Sequence, residues 1–160
     1  MNEKKWRVKV EPERIQHSYI DRLFSAFQIS NRHIQQEMTV ALKEMNLTAP
    51  QFFILYILST SKGTKSTELA EKLEVKPSAI TVMIDRLLKN DFVSRQRDEK
   101  DRRIVKLELT SLGQDVFEKA KAKRREIFSR YLAYLDEEDV NQLVMIYEKL
   151  AAAVENNTEE

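Results

Sequence analysis

One stretch, RQRDEKDRRIVKLELTSLG, limits the possible folds of this chain most strongly. Seven consecutive charged residues begin at Arg97, and apolar side chains then occupy every second position from Val105 to Leu109. An α-helix would space its apolar residues by three and four, whereas strict alternation is typical of a strand. The sequence therefore predicts a hairpin, with strands at about 92–97 and 103–109 and the charged residues at its exposed tip.

The composition favours long helices around this hairpin. The chain has 160 residues but only 2 glycines and 3 prolines, so tight turns must be few. It has no cysteine, which excludes disulfides, thiolate metal sites and thiol redox switches. No apolar run approaches the roughly 18 residues of a membrane span, and no signal peptide is visible. We expect a cytoplasmic protein with no membrane partner.

The charges are divided unevenly along the chain. Residues 131–160 carry eight acidic side chains and one basic side chain, a net charge of −7, whereas the first 130 residues carry +8. An acidic end on a basic body is typical of a protein that turns one part toward a polyanion. The asymmetry supports a basic part that faces a polyanion and an acidic end that faces away from it; the alternative is a chance distribution of charge.

Four longer helices are predicted from apolar spacing and capping residues. The first extends for about 30 residues from Pro12, a residue suited to a helix start. The second begins at Thr48, ends at Gly63, and is apolar nearly all round, so we expect it to be buried. Thr110 and Asp136 are expected to cap the two C-terminal helices.

Two short helices lie between the second long helix and the hairpin. One starts near Ser66 or Thr67 and the other at Pro77, and only the three residues 74–76 separate them. This spacing is typical of a helix-turn-helix unit. Its packing requires small or aliphatic residues at the crossing, and Ala70, Val75 and Ile80 are placed to supply them. The alternative is a helical hairpin with a purely structural role.

A helix-turn-helix unit places the outer face of its second helix in a DNA major groove. Here that face carries Ser78, Thr81, Val82, Asp85 and Lys89. Hydroxyl groups and cations at helix starts and turns suit phosphate binding. The candidate phosphate contacts are Ser66, Thr67 and Lys76, and Arg86 is expected either to reach a phosphate or to brace the hairpin.

The hairpin tip supplies a second candidate contact with DNA. Asp101 and Arg103 are two residues apart, so in a strand they share a face and the carboxylate can orient the guanidinium. An arginine held in this way can enter a narrow minor groove, where the negative potential favours it. Arg97, Lys100 and Arg102 flank the tip as candidate phosphate contacts.

From Leu47 to Gly113 the sequence resembles the MarR family of winged helix-turn-helix transcription regulators. The resemblance rests on LTAPQFFIL, on TELAEKLEVKPSAITVMIDRLL, and above all on Asp101-x-Arg103 followed by Leu109-Thr110-x-x-Gly113. It implies a mainly α fold with a small β-wing, in which long dimerisation helices flank the winged helix-turn-helix. It also implies a DNA-binding regulator, expected to be a repressor.

The family's functional residues map onto this chain position by position. The wing-tip arginine maps to Arg103 and its orienting acid to Asp101, and the recognition-helix contacts map to Ser78, Thr81 and Val82. Many members have arginine at position 82; valine there cannot donate to guanine but can pack on a thymine methyl group. Asp91 replaces the glycine that usually precedes the wing, so we expect a less sharply turned backbone at that position.

Three regions follow from this assignment. Residues 1–11 form a basic arm containing Trp6, which is expected to be a short strand or a tail that orders on a partner; the alternative, equally compatible with the sequence, is a partly ordered terminus. Residues 12–46 and 111–155 form the helical dimerisation region, and 47–110 form the winged helix-turn-helix. We expect a homodimer that recognises a pseudo-palindrome in double-stranded DNA. The alternative is that the same apolar stripes close a bundle within one monomer.

The resemblance further implies a small organic effector bound between the dimer helices and the DNA-binding unit. The candidate lining residues are Phe27, His33, Phe52 and Tyr56, each of which is also explained as plain core or surface. His17 and His33 belong to no compact ligand cluster, so we predict no metal site, and no cofactor or enzyme motif is present. The alternative function is a protein-interaction module on the same fold.

Overall fold

The computed structural model describes residues 15–61, 63–97 and 105–157. Within them lie six helices and one two-stranded antiparallel sheet. The elements in chain order are α1 (His17–Glu44), α2 (Ala49–Thr60), α3 (Ser66–Lys72), α4 (Pro77–Lys89), β1 (Val93–Arg97), β2 (Val105–Leu109), α5 (Ser111–Leu132) and α6 (Glu137–Asn157). None of the described helices is long and apolar enough to cross a membrane.

The chain divides into two compact units. One is Ile34–Ile127, which contains the end of α1, all of α2 to α4, the sheet and the first part of α5. The other combines the beginning of α1 with the end of α5 and with α6. Both α1 and α5 therefore contribute residues to both units.

Helix α2 is the centre of the core of Ile34–Ile127. Ile54 and Leu55 are fully buried, and Phe52, Ile57 and Leu58 are buried beside them. The helix starts with the predicted capping box: the Thr48 hydroxyl accepts from the Gln51 backbone N–H, while the Gln51 side chain accepts from the Thr48 N–H at 2.9 Å. The prediction of a buried second helix is confirmed for this face, whereas Phe53 and Tyr56 on the other face are exposed.

Three helices end in the same way without using glycine. After α1, α3 and α4 the chain takes a left-handed backbone conformation at Asn46, Glu74 and Asp91, with φ between 52° and 56°. The next N–H then bonds back to a carbonyl five residues earlier, as in the bond from Phe92 N to Leu87 O at 2.9 Å. This is the Schellman arrangement, in which glycine is the usual residue at the left-handed position.

The backbone at Asp91 therefore contradicts the expectation of a gentler turn. Its φ of 55° is a conformation that glycine adopts freely, and aspartate tolerates it better than most other residues do. The position is held by the bond from Asp91 N to Leu88 O and by burial of the next residue, Phe92. The sharp turn before the wing is thus kept although the glycine is absent.

Two predicted helix boundaries are wrong. The first helix was expected to start at Pro12, which lies outside the described residues. Ile15 and Gln16 are described and are not helical, and α1 begins at His17. Helix α2 ends at Thr60 and not at Gly63, because Ser61 already has an extended backbone. Gly63 instead has a φ of 69° and turns the chain toward the sheet.

The hairpin is present at the predicted place. β1 and β2 pair antiparallel, with Val93 opposite Leu109 and Arg95 opposite Leu107. Thr64 adds a bridge on the outer side of β2, where its carbonyl accepts from Leu107 N at 2.9 Å. Leu107 is buried, but Val105 is exposed, so only the base of the hairpin packs on the core.

The junction between the wing and α5 gives a structural reason for the Leu-Thr-x-x-Gly motif. The Thr110 hydroxyl donates to Asp91 O at 2.6 Å and accepts from Gly113 N at 2.9 Å, which confirms Thr110 as the cap of α5. A Cβ on Gly113 would lie 1.8 Å from the carbonyl oxygen of Phe92. The motif therefore allows the first turn of α5 to lie directly against the start of the wing. Asp136 likewise caps α6, accepting from Asp139 N at 2.8 Å.

Candidate nucleic-acid interface

The two short helices cross as the spacing predicts. Leu69 and Ala70 of α3 are buried, and Ile80 of α4 is buried as well. Val75, in the turn between them, is half-buried. The turn is made by the left-handed conformation of Glu74, which lets Val75 N bond to Ala70 O at 3.0 Å. The inner faces of α3 and α4 thus pack in the core, and their outer faces are accessible to a binding partner.

The outer face of α4 is exposed at all of the predicted positions. Ser78, Thr81, Val82, Asp85 and Lys89 are all exposed, while Ile80, Ile84 and Leu87 on the opposite face are buried. The Thr81 hydroxyl donates to Pro77 O at 2.9 Å, so its oxygen is left to accept. The side chain of Val82 is 52% exposed, a placement that suits contact with a partner better than packing.

The candidate phosphate contacts lie beside this face. Ser66 and Thr67 form the exposed first turn of α3, and Lys76 is the exposed residue that precedes α4. Arg86 is exposed, and no hydrogen bond or ion pair to the hairpin is present for it among the described residues. Helix α4 therefore presents hydroxyl groups, an apolar contact and cations side by side, which is the mixture used to contact DNA bases and phosphates.

An ion pair joins the recognition helix α4 to the wing, and the sequence did not reveal it. Arg95 Nη2 of β1 lies 2.9 Å from Asp85 Oδ1 of α4, and both side chains remain more than half exposed. The two residues are ten positions apart and are separated by a helix end and a turn. No periodicity predicts such a pair, since it depends on the angle between α4 and β1.

The tip of the wing lies outside the described residues. Lys100, Asp101, Arg102 and Arg103 all fall there, so their predicted roles stay predictions. Arg97 is the last residue of β1, with its backbone opposite Val105. β1 ends at Arg97, the first residue of the charged segment, and β2 begins at Val105.

The four effector candidates fall in the two units of the chain. Phe52 and Tyr56 share one aromatic cluster in Ile34–Ile127: the ring of Phe117 lies 5.7 Å from that of Phe52 and 6.5 Å from that of Tyr56. The Arg124 guanidinium lies 5.5 Å from the centre of the Phe52 ring. Phe27 and His33 belong to the other unit, and both are exposed on α1. The effector site stays a prediction.

Metal binding finds no support in the part of the chain that the structure describes. It contains no group of three or more His, Asp or Glu side chains placed to hold an ion. The candidate interface consists of a pair of short helices, an exposed polar helix face and an adjoining two-stranded wing.

Comparison with known proteins now identifies this arrangement. The family model described as "MarR family" matches residues 47–105, from two residues before α2 to the first residue of β2. The HTH-type transcriptional repressor MdtR of Bacillus subtilis is 40% identical over 141 residues, which cover 86% of this chain and 91% of the relative. The chain belongs to the MarR family.

Solved structures that resemble this chain agree with this assignment. The YusO protein from Bacillus subtilis matches with a TM-score of 0.70 and 40% identity, covering 83% of this chain and 97% of that one. A MarR family protein of Mycobacterium tuberculosis, solved in complex with p-aminosalicylic acid, matches with a TM-score of 0.66 and 28% identity, covering 81% and 98%. The predicted fold class is confirmed: a mainly α chain with a small winged helix-turn-helix sheet.

Membership of the MarR family also establishes the general function. The protein is a DNA-binding transcriptional regulator and not an enzyme, as expected from the sequence. This favours the DNA-binding interpretation of the exposed α4 face over the alternative of a protein-interaction module.

Proposed function

We propose that this MarR family protein is a homodimeric repressor that binds a pseudo-palindromic DNA site and is released by a small organic molecule. The observation that carries the proposal is the outer face of α4, whose predicted contact residues are all exposed while Ile80, Ile84 and Leu87 on the opposite face are buried in the core. A helix held in this way can enter a major groove without rearranging its own packing. Repression is supported by the name of the relative MdtR, a transcriptional repressor at 40% identity.

Contacts with the DNA divide into two kinds. Base edges would be contacted by Ser78, Thr81 and Val82 from α4, and by Arg103 at the wing tip in the minor groove. Phosphates would be bound by the hydroxyl groups and cations around them, which position the protein without selecting a sequence. These contacts are expected from Ser66, Thr67, Lys76, Arg86, Lys89, Arg97, Lys100 and Arg102, with Asp101 orienting Arg103.

Dimer formation is supported by the apolar surface of α1 and α6. Helix α6 leaves seven large apolar side chains exposed in the single chain: Leu143, Val144, Met145, Ile146, Tyr147, Leu150 and Val154. The first half of α1 leaves Tyr19, Leu23, Phe24 and Phe27 exposed as well. A soluble monomer rarely exposes so much apolar surface on neighbouring turns, and a second copy would cover it. Two α4 helices would then bind half-sites about one DNA turn apart.

Release by a small molecule is supported by the relative from Mycobacterium tuberculosis, which was solved with p-aminosalicylic acid bound. In this chain the proposed lining residues remain Phe27, His33, Phe52 and Tyr56. A ligand that binds one spacing of the two recognition helices better than another would change DNA affinity by that difference in binding free energy. Replacing Tyr56 with alanine is expected to weaken the response to an effector more than it weakens DNA binding.

The DNA-binding model is tested by the wing arginine. Fragments of genomic DNA that the wild-type protein retains in a band-shift assay are titrated with the Arg103→Ala and Arg103→Lys variants. Arg103→Ala should weaken binding by about 1–3 kcal/mol, because a minor-groove contact is lost, whereas Arg103→Lys should keep part of it. Equal affinity of the wild type and Arg103→Ala would refute the wing-tip contact.

A further inference from the structure

The ion pair between Asp85 and Arg95 lies on the surface proposed to face DNA. Asp85 is on the exposed face of α4, one turn after Thr81, and Arg95 extends toward it from the middle of β1. An unpaired carboxylate on this face would repel the DNA phosphates. Its placement therefore needs a reason, and the guanidinium 2.9 Å away supplies the partner.

Protein stability alone does not explain the pair. The side chains of Arg95 and Asp85 are 54% and 58% exposed, and ion pairs in such positions contribute little to folding because water and salt screen them. The contact uses one oxygen of the carboxylate and one terminal nitrogen of the guanidinium. A guanidinium has five N–H donors, so most of those on Arg95 are left for another acceptor while Asp85 fixes its direction.

A groove adjoins the guanidinium within the same compact unit. It has a volume of about 240 Å³ and is lined by Ser66, Thr81, Ile84, Arg95, Val105 and Leu107. A groove of this size can admit a tetrahedral anion. Two of the lining residues, Ser66 and Thr81, carry hydroxyl groups, and a third, Arg95, carries the guanidinium. Arginine and hydroxyl groups together form a common binding site for the phosphates of DNA.

We propose that Arg95 binds a backbone phosphate of the DNA in this groove and that Asp85 is the positioning residue that holds its guanidinium there. The proposal rests on the proposed function, since it assumes that α4 and the wing face the same duplex. Asp85 then acts through Arg95 and touches no DNA itself. The pair also couples the direction of the wing to that of the recognition helix, because each partner belongs to one of them.

Whether Asp85→Asn tightens or weakens DNA binding distinguishes this proposal from a simple effect of charge. Asp85→Asn removes a negative charge from the DNA-facing surface, so charge alone would make binding tighter. If Asp85 positions Arg95, the same change should weaken binding by about threefold to fivefold, since a charge-assisted contact loses its fixed geometry. In an Arg95→Gln background there is no guanidinium to position, and Asp85→Asn should then leave affinity unchanged or raise it.

The assay is fluorescence anisotropy with a labelled duplex that the wild-type protein selects from a random-sequence library, measured at several KCl concentrations. Arg95→Gln should weaken binding about tenfold. It should also make the negative slope of log K against log salt shallower by about 0.9, which corresponds to the loss of one phosphate contact. Arg95→Lys should keep the slope but lose part of the affinity, because an ammonium lacks the planar fork. Urea unfolding of each variant should stay within about 1 kcal/mol of the wild type.

A matched control is the ion pair between Lys123 and Glu126 on α5. It has the same distance of 2.9 Å and similar exposure, but it has no proposed contact with DNA. Lys123→Gln should change neither the slope nor the affinity as Arg95→Gln does. An Arg95→Gln slope equal to that of the wild type, or tighter binding by Asp85→Asn alone, would overturn the positioning proposal. If the wild-type protein selected no duplex at all, the proposed function itself would fail.

Discussion

Replacing Gly113 with alanine tests how closely α5 approaches the wing. Gly113 is in the first turn of α5, and an added Cβ would lie 1.8 Å from Phe92 O and 2.7 Å from Phe92 C. Carbon and oxygen atoms in close contact normally stay about 3.3 Å apart, so the substitution must open a gap of about 1.5 Å. The atoms that must move belong to the backbone, and Phe92 is itself buried. We therefore expect the whole junction to shift.

The expected cost follows from the contacts at this junction. Forcing an extra methyl group into a packed site costs about 1–3 kcal/mol. The shift also strains the bonds from Thr110 N to Phe92 O at 3.1 Å and from Thr110 Oγ1 to Asp91 O at 2.6 Å, each contributing about 1 kcal/mol. The higher helix propensity of alanine offsets up to about 1 kcal/mol of this loss. The net loss in the free energy of unfolding should be about 2–4 kcal/mol.

Urea denaturation followed by circular dichroism measures this loss, with the midpoint lowered and the slope unchanged. The other glycine of the chain provides the comparison. In Gly63→Ala the new Cβ would meet Lys106 Cδ at 2.7 Å, a side-chain atom that can move aside, although the φ of 69° adds strain of about 1 kcal/mol. If Gly113→Ala were no more destabilising than Gly63→Ala, the junction would be looser than its geometry indicates and the explanation of the motif would be wrong.

Three further predictions concern the recognition helix, a strained turn and the dimer. Val82→Arg should leave stability within about 0.5 kcal/mol, because the side chain is exposed, and should shift the base preference of DNA binding toward guanine; an unchanged preference in a selection from random duplexes would count against base contact at this position. Glu74→Gly should stabilise the protein by about 0.5–1 kcal/mol in thermal unfolding, because glycine adopts the φ of 52° without strain, and a lower melting temperature would contradict this. Leu150→Glu should halve the mass measured by sedimentation while the helical content is kept, since Leu150 is exposed in the single chain; an intact dimer would place the interface elsewhere.

Local residue patterns were sufficient to predict the order and kind of the elements. The helix starts at Thr48, Thr110 and Asp136 follow from capping, a contact between a side chain and the N–H groups two or three residues ahead. The buried face of α4 follows from the spacing of its apolar residues. The resemblance to the MarR family added the expected roles of Arg103 and the α4 positions, and family membership confirmed the general function.

Predictions from the sequence were wrong where the backbone conformation depends on contacts with residues that are distant along the chain. Asp91 was expected to relax the turn, but burial of Phe92 and two backbone bonds hold it in a left-handed conformation. Gly63 was expected to end α2, but it turns the chain toward β2 instead, three residues after the helix has ended. In both cases packing beyond the local segment outweighed the preference of the single residue.

The chain by itself thus determines a winged helix-turn-helix regulator of the MarR family, because apolar periodicity, capping and the family's motifs are all local properties of a sequence. Only the tertiary structure decides that Arg95 meets Asp85 and that Gly113 lies against Phe92. Both contacts depend on the angle at which the wing leaves α4 and joins α5. That angle is set by the packing of the whole unit Ile34–Ile127, which no short stretch of residues encodes.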